Sequence, residues 1–408
     1  IFFISIYQII PNYVHRGMTD FVFDNTLAVS IFFLIINFFI FCLTNLNKSE
    51  GIILTVIIFF SSIWFLCFNS ISNLSSTKHV LFVSILFLFP ISLLSLSSNY
   101  LNINYRLNFL KHGLIKIRME YVILLILFFV SYKMYNLLGL DFSTETIYER
   151  RLAGREKITF SLGYLFNMCI NGLAPILAFI SFYNKRYIFL LPCLAFVILS
   201  YGFVGNKSPI IFIFIMSFLG IYYSIFKKNL LVTIIFLMTS IFVISFVEYL
   251  IVGNSLIATY FIRRAILVYA QLNILFTDFM FNYENFNEIF WFGSQYKTEV
   301  NYLIGQIYFQ SNDMNASTTS FVIEFVRRGF IGYVFNIFFL LLISSFYSYM
   351  YKISDNKVWL GTSFLYAVLM LQQGFTTAFV SSGIGLITVL LCLFNSKKIK
   401  IIKKKDIK

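Results

Sequence analysis

Charge is scarce in this sequence. Only 12% of its 408 residues are Asp, Glu, Lys or Arg, while 59% are hydrophobic. A soluble core of that size could not bury so much apolar surface, so lipid is the solvent the composition demands. Histidine is nearly missing as well. His15, His79 and His112 stand apart in the sequence with no cysteine or carboxylate at ligand spacing, which argues against a metal site, and neither metal nor cofactor is expected. The five cysteines, Cys42, Cys67, Cys169, Cys193 and Cys392, all fall inside apolar runs. None lies in a polar loop where an oxidising compartment would pair it, so they read as small core residues. Strand-type alternation is absent, which favours helices over a barrel. No cleavable signal peptide is visible, and the apolar run before Pro11 reads as part of an N-terminal helix.

What the chain has in abundance is long apolar runs. Spans are expected at 1–10 (partial), 27–46, 51–70, 79–98, 120–140, 160–183, 187–204, 208–226, 230–252, 319–350, 358–374 and 377–395. The expectation is an all-α polytopic transmembrane bundle of about twelve spans. The basic loops with Arg106, Lys111, Lys116 and Arg118, with Lys185 and Arg186, with Lys227 and Lys228, and with Lys352 and Lys357 all fall on one side. The lysine-rich tail falls on that side too. A consistent cytoplasmic face results, with both termini inside. The tail KKIKIIKKKDIK reads as a topology anchor and not as a nucleic-acid binder. Four regions follow: 1–252 with an outward loop at 141–159, a large outward loop at 253–318, C-terminal spans at 319–396, and the tail at 397–408.

Lysine and arginine divide differently on this threading. Lysine is mostly cytoplasmic, whereas Arg16, Arg150, Arg151, Arg155, Arg263, Arg264, Arg327 and Arg328 face outward. Topogenesis disfavours outward arginine, and the guanidinium fork suits bidentate grip on phosphate or carboxylate, so an anionic substrate at the outer leaflet accounts for it.

Three clusters carry these arginines, Arg16 excepted. YERRLAGRE (Tyr148–Glu156), if helical, places Arg151 and Arg155 on one face at i, i+4, with Asp141, Glu145, Glu149 and Glu156 near enough to neutralise them. FIRRAILVYAQLN (Phe261–Asn273) reads as an interfacial helix headed by an arginine pair. NASTTSFVIEFVRRGFIGYVF (Asn315–Phe335) offers Ser317, Thr318 and Thr319 as helix caps and sets Glu324 at i, i+3 and i, i+4 from Arg327 and Arg328. Gly329 and Gly332 permit close approach. The turn GNKSP adds Lys207, and Glu248 is a further ionisable group in apolar surroundings.

With these clusters and the large outward loop, the chain resembles the O-antigen polymerase family, membrane enzymes that join oligosaccharide repeat units. The likeness covers the layout of the whole chain, with motif support at 148–156, 201–209, 261–273 and 315–335. It implies a membrane glycosyltransferase of the GT-C type in the bacterial inner membrane, working at the periplasmic face without a metal. Donor and acceptor would be undecaprenyl-pyrophosphate-linked oligosaccharides, and a chain-length regulator and a flippase would be partners. On that resemblance Arg263, Arg264, Arg327 and Arg328 would hold pyrophosphate. Arg150, Arg151, Arg155, Lys207 and Asn315 would help bind glycan, and Glu324, then Asp313 and Glu149, would serve as general base. A flippase or other transporter is the alternative. An O-antigen ligase is a weaker one, since the loop 253–318 has no histidine.

Overall fold

The computed structural model describes residues 25–46, 48–68, 76–100, 115–143, 145–206, 208–225, 230–253, 255, 257–296, 299–312 and 314–395. The expected first span and the basic tail lie outside them, as do Lys207 and Asp313. The described chain is helical almost throughout. Its early helices are α1 (Asn25–Cys42), α2 (Ser49–Cys67), α3 (Thr77–Tyr100), α4 (Met119–Leu138), α5 (Ile147–Lys157), α6 (Phe160–Tyr183), α7 (Tyr187–Val204), α8 (Ser208–Ile225) and α9 (Leu230–Val252). A composite α10 follows, π-helical over Ala258–Leu267 and α-helical over Val268–Asn282. The rest are α11 (Phe286–Phe292), α12 (Val300–Phe309), α13 (Ser320–Ser354), α14 (Val358–Met370), α15 (Phe375–Val380) and α16 (Ile384–Leu393). Two short strands, β1 (Ile115–Arg118) and β2 (Phe394–Asn395), pair in parallel.

Six helices among the described residues are long and apolar enough to cross a membrane: α2, α3, α4, α6, α7 and α13. Apolar stretches of α1, α8, α9, α14 and α16 are shorter, at 10–17 residues. The protein is therefore a membrane-embedded helical bundle. Its surface agrees, because α4 turns Leu125 and Phe128 outward at 71% and 77% exposure. That would be a liability in water and is ordinary in hydrocarbon.

Two expected spans do not form as unbroken helices. The run 358–374 is helical only to Met370, and 377–395 is divided by the turn at 381–383 between α15 and α16. Gly374, Gly383 and the adjacent polar residues interrupt them, as glycine costs about 1 kcal/mol relative to alanine in a helix. The stretch expected as an interfacial helix is part of a longer one. Residues 261–273 belong to α10, whose body from Ala270 to Met280 is buried throughout. Hydrogen bonds offset much of the cost of burying its polar side chains, although Asn273 Nδ2 has no partner among the described residues. Thr277 donates to the Asn273 carbonyl at 2.7 Å, and Asn273 itself accepts from two threonines.

The helices group into two compact units that cut across the linear division of the chain. The first takes described residues from Ile1–Asn102, Asn229–Ser345 and Tyr366–Thr377, and the second from Ile103–Lys228, Phe346–Leu365 and Ala378–Lys408. An aromatic core fills the first: Phe33 stacks on Phe65 at 3.7 Å, and Phe87 meets Trp64, Phe65 and Phe321. Pro90 lies inside α3 and cannot donate to the carbonyl of Leu86. The buried hydroxyl of Tyr333, on α13, donates to that carbonyl at 2.6 Å. In the second unit Tyr347 and Trp359 pack at 5.6 Å, and Tyr347 meets Thr388 of α16 at 2.6 Å.

Candidate functional site

The start of α13 is the most polar part of the first unit. Ser317, Thr318 and Thr319, expected as caps for their own helix, reach across to other elements. Ser317 donates to the Gln372 carbonyl at 2.8 Å, and both threonines donate to Asn273 Oδ1 at 2.8 Å. Asn315 is exposed and accepts from Asn301 at 2.9 Å, while the Ala316 amide donates to the Asn301 carbonyl at 3.1 Å. These bonds fasten the beginning of α13 to α10, α12 and the turn after α14.

One turn further on, Glu324 is buried at 3% exposure, and its Oε2 lies 3.1 Å from Arg328 Nη1. The i, i+4 partner expected from the sequence is the one observed. Asn336 donates to the same oxygen at 3.1 Å and to the Gly332 carbonyl at 2.7 Å. Oε1 carries no hydrogen bond among the described residues and faces Gly374, where any Cβ would collide with it. The Arg328 side chain lies over Gly332 and is half exposed. Arg327 makes no ion pair among the described residues, and its Nε is enclosed without an acceptor. One carboxylate thus pairs with only one of two adjacent guanidinium groups, which leaves positive charge and an open donor at one place.

Gly329 sets this geometry. Its φ of 66° and ψ of −169° break α13 directly after the arginine pair. A Cβ there would strike the backbone of Trp291 and Phe292, and one on Gly293 (φ 82°) would strike that of Arg327 and Arg328. Two glycines in the left-handed region therefore let two backbones touch, and the Ser294 amide seals the contact by donating to the Val326 carbonyl at 2.8 Å. Ser294 also donates its hydroxyl to Glu284. Burial raises the Glu284 carboxyl above its ordinary value, and that hydrogen bond opposes the shift.

The remaining candidates in this unit do other work. Glu248 accepts from Ser255 at 2.7 Å and from the Ile257 amide at 3.1 Å, so it caps α10 and is a structural group. Arg263 is half-buried in the π-helical start of α10, and the Arg264 side chain lies outside the described residues. A π-helix of that length is unusual, and π segments recur at functional sites.

The loop 141–159 belongs to the second unit and contains a helix, as its Arg151–Arg155 spacing suggested. Arg150 is not poised for a ligand. Its guanidinium donates to the carbonyls of Tyr201 (2.9 Å) and Gly202 (3.0 Å) and to those of Asp141 and Ser143, with Nε 3.6 Å from the Asp141 carboxylate. It clamps α5 to the end of α7, correcting its expected role in binding. Arg151 donates to the Gly205 carbonyl at 3.2 Å and borders a cleft of about 550 Å³ with Tyr164, Asn167 and Asn206. Glu149 is exposed, and the Arg155 side chain lies outside the described residues. The expected set is therefore divided: Glu324, Arg327, Arg328, Arg263 and Asn315 are in the first unit, and Glu149, Arg150 and Arg151 are in the second.

Sequence reasoning overlooked Asn336, Asn273 and Gly374. Asn336 was detectable as a lone amide inside an apolar span, where polar groups usually have a task. Asn273 and Gly374 gave no local signal, because their partners are remote in the chain. The chain matches no protein-family model, no curated protein and no solved structure.

Proposed function

We propose that the protein is a polysaccharide polymerase that joins undecaprenyl-pyrophosphate-linked oligosaccharide units at the periplasmic face of the bacterial inner membrane. The observation that carries this reading is the Arg327–Arg328 pair at the break in a long apolar helix, with Glu324 engaging one guanidinium and the other in no ion pair among the described residues. Placement of that break on the outer side follows from the basic loops and tail on the other. In the reaction, an acceptor sugar hydroxyl attacks the anomeric carbon of the donor glycan, and the bond from that carbon to the lipid pyrophosphate breaks. Arg327 and Arg328 stabilise the departing pyrophosphate as its charge develops. Oε1 of Glu324, which has no hydrogen bond among the described residues, takes the hydroxyl proton, while Oε2 holds Arg328.

The test is a reconstitution. Protein in nanodiscs is given cognate lipid-linked repeat units with no nucleotide sugar, and products are resolved by gel. A ladder of multimers that disappears with Arg327→Ala and Arg328→Ala supports the reading.

A transporter of lipid-linked glycans is the second reading, favoured by one observation. The helical path from α14 to α15 is interrupted at 371–374 beside Glu324, and broken helices line substrate sites in transporters. Substrate left chemically unchanged in the gel assay but moved across proteoliposomes would select it.

A further inference from the structure

The first unit holds a second buried polar cluster that the proposed reaction does not use. Asp278, near the end of α10, is 6% exposed. It accepts from the Tyr308 hydroxyl of α12 at 2.5 Å and from the Asn282 amide at 2.6 Å, and His79 Nε2 lies 3.6 Å from its Oδ1. His79 is buried in the first turn of α3. Its Nδ1 accepts from the Ser76 backbone amide at 3.3 Å and lies 2.8 Å from Ser76 Oγ, which in turn accepts from the His79 amide at 3.4 Å. This is a reciprocal cap with histidine where Glu or Gln is usual. A backbone amide only donates, so the hydrogen-bond network assigns a bare Nδ1, and the neutral ring carries its proton on Nε2, toward Asp278.

Among the described residues, the charged and titratable groups on the elements packed around this pair are few. Lys78 Nζ sits 3.9 Å from the centre of the Phe281 ring. Helix α1 has no charged residue, α2 has only Glu50, which is at the end of the α2–α3 hairpin remote from His79, and α10 has only Asp278 among its α-helical residues. Helix α12 contributes Tyr302 and Tyr308, and α11 contributes Glu288. Glu324, Arg327 and Arg328 of α13 are set apart by the ring contacts His79–Phe281, Phe281–Phe82 and Phe82–Phe325.

We propose that His79 and Asp278 form a proton-operated latch that ties the start of α3 and the end of α10 to α12. Uptake of a solvent proton at Nδ1 makes the ring an imidazolium. The Nε2–H facing Asp278 then belongs to an ion pair, and the Ser76 amide loses its acceptor. The consequence reaches α13, because α12 holds residues 315 and 316 through Asn301. Histidine is the side chain whose ordinary titration falls between about pH 5 and 8, so acidification on this side of the membrane tightens the latch.

The test is hydrogen–deuterium exchange of the full chain in zwitterionic nanodiscs at about pH 5.5 and about pH 8, corrected for intrinsic exchange and read on residues 300–309. The wild type is expected to exchange roughly five-fold more slowly at the lower pH. His79→Gln keeps an acceptor for the Ser76 amide and cannot gain charge, so its two rates should coincide. Asp278→Asn, which removes the carboxylate and keeps the shape, should behave the same way. A wild type without the difference, or either variant keeping it, overturns the latch. Neither outcome depends on the polymerase reading, which the gel assay decides separately.

Discussion

Arg327 and Arg328 are adjacent in sequence yet differ in what surrounds them. Arg328 is committed to Glu324, whereas Arg327 has an enclosed Nε and makes no ion pair among the described residues. A lysine at 327 would keep the charge and lose the planar fork. Arg327→Lys is therefore expected to lower multimer formation at least about ten-fold, in the range where one preorganised donor to a developing anion is lost. A variant as active as the wild type would remove Arg327 from the site. Tyr333 offers a test free of any function. Tyr333→Phe strands the Leu86 carbonyl opposite Pro90, and an unsatisfied buried acceptor costs about 1–3 kcal/mol. Unfolding in bicelles should show that loss, and an unchanged midpoint would mean that another donor reaches the carbonyl.

Among the elements, α13 depends most on a single backbone position. Gly329→Ala forces a side chain into the left-handed region and against the Trp291–Phe292 backbone. Strain of about 1–3 kcal/mol is expected, with the arginine pair displaced at the same time. Stability, read by unfolding in bicelles, and multimer formation should fall together. Helix α5 has a pH dependence of known sign. The Thr146 hydroxyl and the Ser143 amide, with Arg150 alongside, hold the Asp141 carboxyl below its ordinary value. A group lowered in the fold adds stability above its unfolded value, and that contribution is lost as pH falls through the folded one. Proteolysis at 141–146 should therefore accelerate below about pH 4, and Asp141→Asn should be cut at a rate independent of acid.

The same elements show how much the sequence disclosed. Spans such as 160–183 and 187–204 were legible to the residue, because apolar length is a local property. The Glu324–Arg328 pair was legible for the same reason, as i, i+4 spacing is fixed by the helix itself. The extent of α10 was not legible at 261–273, because the arginine pair marks only the beginning of a helix whose body is buried in the protein. His79 appeared to stand alone because Asp278 is 199 residues away in the chain and comes near only in the fold.

At the scale of the molecule, orientation in the membrane is the property on which the proposed reaction most depends. Single cysteines placed in the 397–408 tail and at exposed Asn315 should react from opposite sides of sealed vesicles. Labelling of both from one side would remove the outward placement of the arginines. Composition alone dictates the solvent: an apolar chain with few charges lies in lipid and is helical there, since hydrocarbon leaves its backbone no other donors and acceptors. Only the tertiary structure decided which charged groups remain open. Both Arg150 and Arg327 adjoin acidic or polar neighbours in the chain, but backbone carbonyls brought in from α7 occupy the first, while Nε of the second, next to the break at Gly329, has no acceptor among the described residues. Pairing of that kind depends on groups distant in sequence, and no local pattern contains it.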